Sequence, residues 1–264
     1  MILHPPPFII HRFAALGSTN DHLKQMSDAP EFSCVVADEQ TTGRGRRDRA
    51  WHSAPGEGLY LSLLLRPPMF ATKIPLLSLM SAVAVAETLI ERGVVGVDIK
   101  WPNDVLVNEL KLSGILIEAI SNTVGSGGIV RNGAGDTRVI VGIGVNLNHP
   151  SSLAFPEELR QTATSLRIET GMAIEVDEFR DQLLPRLAHW YECWKRGEER
   201  LILDSWQRLS SYSCGQQVAV TLDHEQLIGR TAGLNDDGAL LVQTADGSMR
   251  TILAGEVTRL RKKL

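Results

Sequence analysis

Apolar and polar positions divide the chain into a long mixed segment and a short C-terminal segment of different texture. Ser18-Thr19-Asn20 predicts a helix over 18–26, because a side-chain oxygen at the N-cap accepts an otherwise free backbone N–H. The runs 34–37 and 58–65 read as strands. The 76–93 stretch has Leu77, Met80, Ala84 and Leu89 at helical spacing and closes on Gly93. Strands are expected at 94–99 and 115–120. Trp101-Pro102-Asn103-Asp104 lies between them as a turn, since proline lacks a donor and Asn and Asp favour turns. Five glycines within 121–137 read as a flexible connection. Val139-Ile140-Val141-Gly142-Ile143-Gly144-Val145-Asn146 then forms a strand whose continuous apolar run means burial on both faces. The 177–209 stretch is helical, bent or broken at Pro185 and Gly197. Its Trp190, Tyr191, Trp194 and Trp206 fall at helical spacing and read as core.

From about 213 the pattern changes to short strands at 217–222, 226–232, 239–243 and 249–253, separated by turns such as Asn235-Asp236-Asp237-Gly238. Short strands at regular spacing suggest a small barrel. The expected organisation is one large α+β domain over 1–212 and a small β domain over 213–264.

Charge and composition remove several function classes. The chain has 264 residues, 43% of them hydrophobic, and a net charge of −4. Bulk electrostatics therefore do not recruit nucleic acid. Cys34, Cys193 and Cys214 are odd in number and widely separated, without metal or redox spacing, and the seven histidines form no ligand pair. Each histidine is expected at the surface or satisfied. Neither a signal peptide nor an apolar span of eighteen residues is expected, which points to a reducing cytosol and no membrane.

Candidate chemistry lies at the strand ends. Lys111 stands in Lys111-Leu112-Ser113-Gly114-Ile115-Leu116, shortly after Lys100-Trp101-Pro102-Asn103-Asp104. A lysine at the mouth of a sheet beside an Asn-Asp pair suits a carboxylate or a phosphate. It equally suits a solvated hairpin end. Gly43-Arg44-Gly45-Arg46-Arg47-Asp48-Arg49-Ala50-Trp51 puts four arginines within six positions. Glycines let backbone N–H groups close around an anion, and arginines add forked donors. Taken alone, that loop is compatible with an anion site or a nucleic-acid patch. Gly142-x-Gly144 followed by Asn146 lacks the following glycine and helix start of a dinucleotide fingerprint.

In this order, with Gly17-Ser18-Thr19-Asn20 and Glu39-Gln40-Thr41-Thr42 ahead of them, these segments resemble the biotin–protein ligases over about 9–260. One departure stands out: Asp48 occupies the position of the family loop's third glycine. The resemblance implies a mixed sheet like that of class II aminoacyl-tRNA synthetases, with flanking helices, and an SH3-like C-terminal barrel in which Gly255-Glu256-Val257 is the closing strand. It implies ATP and Mg²⁺ with biotin as substrate, activation as biotinyl-5′-AMP, and transfer to a lysine of a biotin carboxyl carrier domain. Lys111 is assigned to the biotin carboxylate and the α-phosphate. Arg46 and Arg49, with the backbone of Gly43, Arg44 and Gly45, are assigned to carboxylate and phosphates. Ser18, Thr19, Asn20 and Gln40 are expected around the ureido ring, with Gly114 close to the ligand. Trp51 and Asn146 are the adenine candidates. Asn103 and Asp104 are expected near the phosphates, Asp104 as the candidate contact for Mg²⁺. The 149–165 stretch is expected as a second loop over the adenosine.

Some relatives carry an N-terminal helix-turn-helix. Only seventeen residues precede Ser18 here, and Pro5-Pro6-Pro7 opposes a helix among them, so a ligase without a repressor arm or DNA partner is expected. The alternatives are a lipoate or octanoyl ligase of the same fold and a non-catalytic biotin-binding or nucleic-acid-binding module. A homodimer is compatible with the sequence, which leaves the oligomeric state open.

Overall fold

The computed structural model describes residues 6–68, 73–121, 137–222 and 225–260. Its first element is a strand that the sequence reading passed over, β1 (Ile9–Leu16). It lies at the sheet edge, largely exposed, so its apolar positions do not alternate cleanly. Helix α1 (Thr19–Gln25) follows, and Ser18 caps it by accepting the Asp21 backbone N–H. Then come β2 (Ser33–Gln40), β3 (Gly58–Leu65) and α2 (Ile74–Glu91), the last with a proline in its first turn, where no intrahelical N–H is needed.

The next strands differ from the expected pair. β4 (Val97–Lys100) starts three residues later than 94, and β5 (Asp104–Val107) lies where no strand was predicted. A tight hairpin joins β5 to β6 (Leu110–Ser121), with Asn108 and Glu109 at φ +50° and +67°. Positive φ at both central residues matches the right-handed twist of the paired strands. β7 (Thr137–Asn146) completes a seven-stranded sheet in the order β1-β2-β3-β7-β6-β5-β4. Only β1 and β2 run parallel. Apart from its two ends, the expected glycine-rich connection lies outside the described residues.

Helices α3 (Leu166–Thr170), α4 (Val176–Lys195) and α5 (Glu199–Leu209) follow. The break comes at Gly197, φ +75°, but α4 runs uninterrupted through Pro185. Pro185 is on the exposed face, where solvent can take the Asp181 carbonyl that the ring leaves without a donor. Trp190, Tyr191, Trp194 and Trp206 are all buried. The expectation of no long apolar span is also corrected. α2 has a mean hydropathy of 1.6 over 18 residues, enough by length and composition to cross a membrane. Here it is a core helix, packed between the sheet and helices α4 and α5.

The C-terminal strands β8 (Cys214–Thr221), β9 (Gln226–Leu234), β10 (Leu240–Thr244), β11 (Met249–Ile252) and β12 (Glu256–Arg259) form a five-stranded antiparallel sheet, order β11-β10-β9-β8-β12. This separate sheet matches the expected α+β architecture with a small β unit. It is seated tightly on the larger one. Trp101 Nε1 donates to the Gly238 carbonyl at 3.0 Å, and a Cβ at Gly238 would lie 2.7 Å from Leu76.

Candidate active site

Strands β3, β7 and β6 place Ser62, Gly142, Gly144 and Gly114 side by side, Gly144 paired with Gly114 and Gly142 with both Ser62 and Leu116. This small-residue floor underlies a cavity of about 610 Å³. Its walls are the start of α1, the arginine loop between β2 and β3, the β4–β5 turn, the loop after β7, and β12. All the residues assigned to ligand in the sequence line it except Gly43. Gly43 is buried beneath the loop, where a Cβ would lie 2.5 Å from the Trp51 carbonyl oxygen.

The glycines make room for side chains. A Cβ at Gly144 would fall 2.3 Å from the Trp51 ring, and one at Gly142 would fall 2.4 Å from Asn20 Oδ1. Lys111 and Gly114, three apart, would face opposite sides of a regular strand. The register of β5 on β6 shifts between Val105 and Leu106, changing that parity, and Lys111 lies over Gly114, its Cε 3.1 Å from a Cβ built there. The Lys111 backbone is tied to the loop after β7: its N–H donates to Thr162 O at 2.8 Å and its carbonyl accepts from Thr164 at 2.9 Å.

One end of the cavity is rich in acceptors. Asn20 Nδ2 donates to Glu118 at 2.7 Å, which turns Oδ1 toward Ser62 Oγ at 2.5 Å. Gln40 Nε2 donates to Ser53, so its Oε1 accepts both the backbone N–H and the hydroxyl of Thr19, at 2.9 and 3.0 Å. The Ser62 and Thr19 hydroxyls are 2.8 Å apart. Two hydroxyl protons thus serve three contacts, leaving an excess of acceptors. Ser18 spends its oxygen on the helix cap.

The other end is cationic. Lys111 Nζ lies 2.6 Å and Lys100 Nζ 3.5 Å from the Asp104 carboxylate. Arg46 donates to Asn103 Oδ1 at 3.1 Å, and Asn103 is itself held by the Ile115 carbonyl at 2.8 Å. Burial makes the Arg46 charge harder to hold, and nearby Asp104 counteracts this. Between the two ends lies the Trp51 indole, with Lys111 Nζ 5.3 Å from its ring centre.

The other loop arginines are engaged within the protein. Arg44 pairs with Asp21 and Glu118, and Arg49 pairs with Glu256 on β12. The Gly45 N–H, expected to face an anion, donates to the Arg49 carbonyl at 2.7 Å. Asp48 adopts φ +57°, a left-handed conformation that aspartate tolerates better than most residues. Asn146 donates to Thr164 O at 3.0 Å, so its amide holds the second loop while lining the cavity.

Sequence reasoning missed several contributors. Lys100 was read only as part of its motif, and Glu118 sits in an unremarkable strand. Burial alone would raise the Glu118 carboxyl, but hydrogen bonds from Lys24, Asn20 and Arg44 outweigh it and hold it below the usual carboxylate range. His149 corrects the expectation that every histidine is exposed or satisfied. It is fully buried, stacked on Phe155 at 4.1 Å, and among the described residues its polar company is limited to Glu57, whose carboxylate lies 3.5 Å from Nε2. Burial, with His52 nearby, pushes it down to about 4.

Comparison with known proteins agrees with this architecture. Residues 13–133 match the Biotin/lipoate A/B protein ligase family, and residues 213–259 match the Biotin protein ligase C terminal domain. The chain is 36% identical over 244 residues to the bifunctional ligase/repressor BirA of Bacillus subtilis, covering 90% of this chain and 70% of that protein. It is 33% identical to the biotin–[acetyl-CoA-carboxylase] ligase of Paracoccus denitrificans, covering 92% of this chain and 98% of the relative. The structure of the Aquifex aeolicus biotin protein ligase in complex with biotin and ATP superposes with a TM-score of 0.81 at 31% identity, covering 96% of this chain and 99% of that one. A mixed sheet with this cavity and a small C-terminal sheet define a ligase fold of the biotin/lipoate type. The chain belongs to the biotin protein ligase family and is a ligase.

Proposed function

We propose that this ligase condenses biotin with ATP to give biotinyl-5′-AMP and pyrophosphate, then passes the biotinyl group to a lysine of a biotin carboxyl carrier domain. A carboxylate is a poor acyl donor. The adenylate supplies AMP as a leaving group, and the attacking ε-amine displaces it to form an amide. The observation that carries this reading is the cavity's polarity: surplus acceptors around Asn20, Thr19 and Gln40 at one end, and Lys111, Lys100 and Arg46 at the other. Two ureido N–H donors fit the first end, and a carboxylate meeting an α-phosphate fits the second.

In this reading Lys111 neutralises the biotin carboxylate and then the charge that builds on the α-phosphate, in a site walled from water by the two loops. Asn103 fixes Arg46 beside it. Arg49 leaves Glu256 for the phosphates as the arginine loop closes, and the backbone of Arg44 and Gly45 closes with it. Trp51 covers the acyl chain or the base, and Asn146 with Phe155 borders the adenine. Asp104 offers one carboxylate, which suits a magnesium ion brought in by phosphate oxygens better than an all-protein site. Such an ion, when bound, would neutralise phosphate charge. No group of three or more metal-ligating side chains exists among the described residues. The residues assigned to the chemistry lie N-terminal to 213, and the small C-terminal sheet contributes β12 to the cavity wall.

A lipoate or octanoyl ligase has the same fold, but a dithiolane or alkyl tail brings no N–H donors to the acceptor-rich end. The test is ATP–pyrophosphate exchange with biotin, lipoate and octanoate in parallel. Exchange that depends on biotin alone supports the proposal. Exchange with lipoate alone moves the chain to the sister activity, and binding without exchange makes it a binding module.

A further inference from the structure

We infer that Glu118 is a positioning residue that sets the hydrogen-bond polarity of Asn20 and thereby makes the cavity selective for a ligand with N–H donors at its buried end. The inference rests on the biotin reading above and names the residue that enforces it. Glu118 lies on β6 two and four residues beyond Leu116 and Gly114, on the face that floors the cavity, yet it does not itself line it. An asparagine amide is nearly symmetric in shape, so something must decide which end faces the ligand. A carboxylate is an acceptor only. By taking Asn20 Nδ2 at 2.7 Å, Glu118 leaves Oδ1 pointing to Ser62 and the cavity. With Gln40 oriented by Ser53 in the same sense, both amide oxygens face inward.

The same carboxylate holds the arginine loop. Arg44 donates to both of its oxygens, at 3.0 and 2.8 Å, and Lys24 donates at 2.7 Å. Lys24 and Arg44 also share Asp21. These cations keep Glu118 ionised, and an ionised Glu118 cannot donate to Asn20. The polarity of the pocket therefore originates at a charge cluster behind its wall. Loop and ligand end are linked through one side chain.

Glu118→Gln keeps the volume and removes both the charge and the obligation to accept. Asn20 is then free to turn its NH₂ inward. Binding is measured by calorimetry for biotin and for an analogue methylated on one ureido nitrogen, which lacks one donor. The wild-type protein should prefer biotin by about a hundredfold, since a site built for N–H donors leaves acceptors unpaired with the analogue. Glu118→Gln should cut that preference at least about tenfold and raise KM for biotin. A uniform loss of affinity for both ligands, with the preference intact, would overturn the inference by making Glu118 merely structural. Arg44→Gln should weaken both ligands while keeping the preference.

A double-mutant cycle gives a second, independent reading. If Glu118 acts through Asn20, Glu118→Gln in an Asn20→Ala background leaves the ligand preference unchanged from Asn20→Ala alone. Additive losses overturn it. Should Glu118→Gln prove too unstable, retention of the preference in Asn20→Ala refutes the inference. Failure of the wild-type protein to bind biotin at all would instead reject the reading on which the inference stands.

Discussion

Arg49 in the arginine loop and Glu256 on β12 form a forked ion pair, Nη1 to Oε1 at 2.9 Å, that joins the large sheet's loop to the C-terminal sheet. Both side chains are substantially exposed, so the pair adds little to stability. Its effect is on where Arg49 points.

Glu256→Gln should release Arg49 at little cost to folding. The expected result is a lower KM for ATP, an unchanged KM for biotin, and faster tryptic cleavage in the ligand-free loop. An unchanged KM for ATP would mean that Arg49 does not move to the phosphates.

Gly144→Ala should leave the fold intact and damage the site. Its methyl would fall 2.3 Å from the Trp51 ring, so the indole must leave the floor. Overpacking of this kind is worth about 1–3 kcal/mol, which sets a roughly tenfold or greater rise in KM for biotin. Thermal unfolding should shift little, because Trp51 is carried on a loop, while Trp51 fluorescence changes.

Lys111→Ala removes the cation closest to Asp104 and leaves Lys100 at 3.5 Å as the neighbouring partner. Adenylate formation in single turnover should slow by about 10²- to 10³-fold, the scale for loss of one preorganised charge-stabilising group. Biotin binding should weaken less than the rate falls.

Asp48 at φ +57° gives a backbone test of the family departure. Asp48→Gly fits that conformation and should retain activity. Asp48→Val, β-branched, fits it poorly and should lose loop closure, seen as a raised KM for biotin.

His149 predicts a pH dependence. Its folded pKa, pushed down to about 4, lies below the unfolded value of about 6.5. Between these values the unfolded chain binds more protons, so stability is full above pH 6.5 and falls as pH drops toward 4. The loss is on the order of 3 kcal/mol. His149→Phe, which keeps the stack on Phe155, should flatten the melting temperature against pH in that window. An unchanged slope in the variant would assign the acid sensitivity to other groups.

The site was legible where a motif carries its chemistry in consecutive residues. Lys111, Arg46, Asn103 and Asp104 stand in three short runs; β5 and β6 bring two of them together, and Arg46 reaches Asn103 from the arginine loop. What stayed hidden depends on partners far apart in sequence. Glu118 acquires its meaning from Asn20, 98 positions away, and Arg49 from Glu256, 207 away. The Gly-x-Gly of β7 carried no dinucleotide fingerprint and no assigned role, whereas its glycines clear space for Asn20 and Trp51. β1 escaped because an exposed edge strand needs no clean alternation, and α4 survived Pro185 because the lost bond faces solvent.

The seat of Gly238 against Leu76 and Leu79, with Trp101 bonded to its carbonyl, makes the two sheets share one apolar core. Melting should therefore be a single cooperative event, and a fragment ending before the last five strands would expose the start of α2. Exchanging that small sheet between relatives would require recutting the helix on which it rests, so the two halves are bound to vary together.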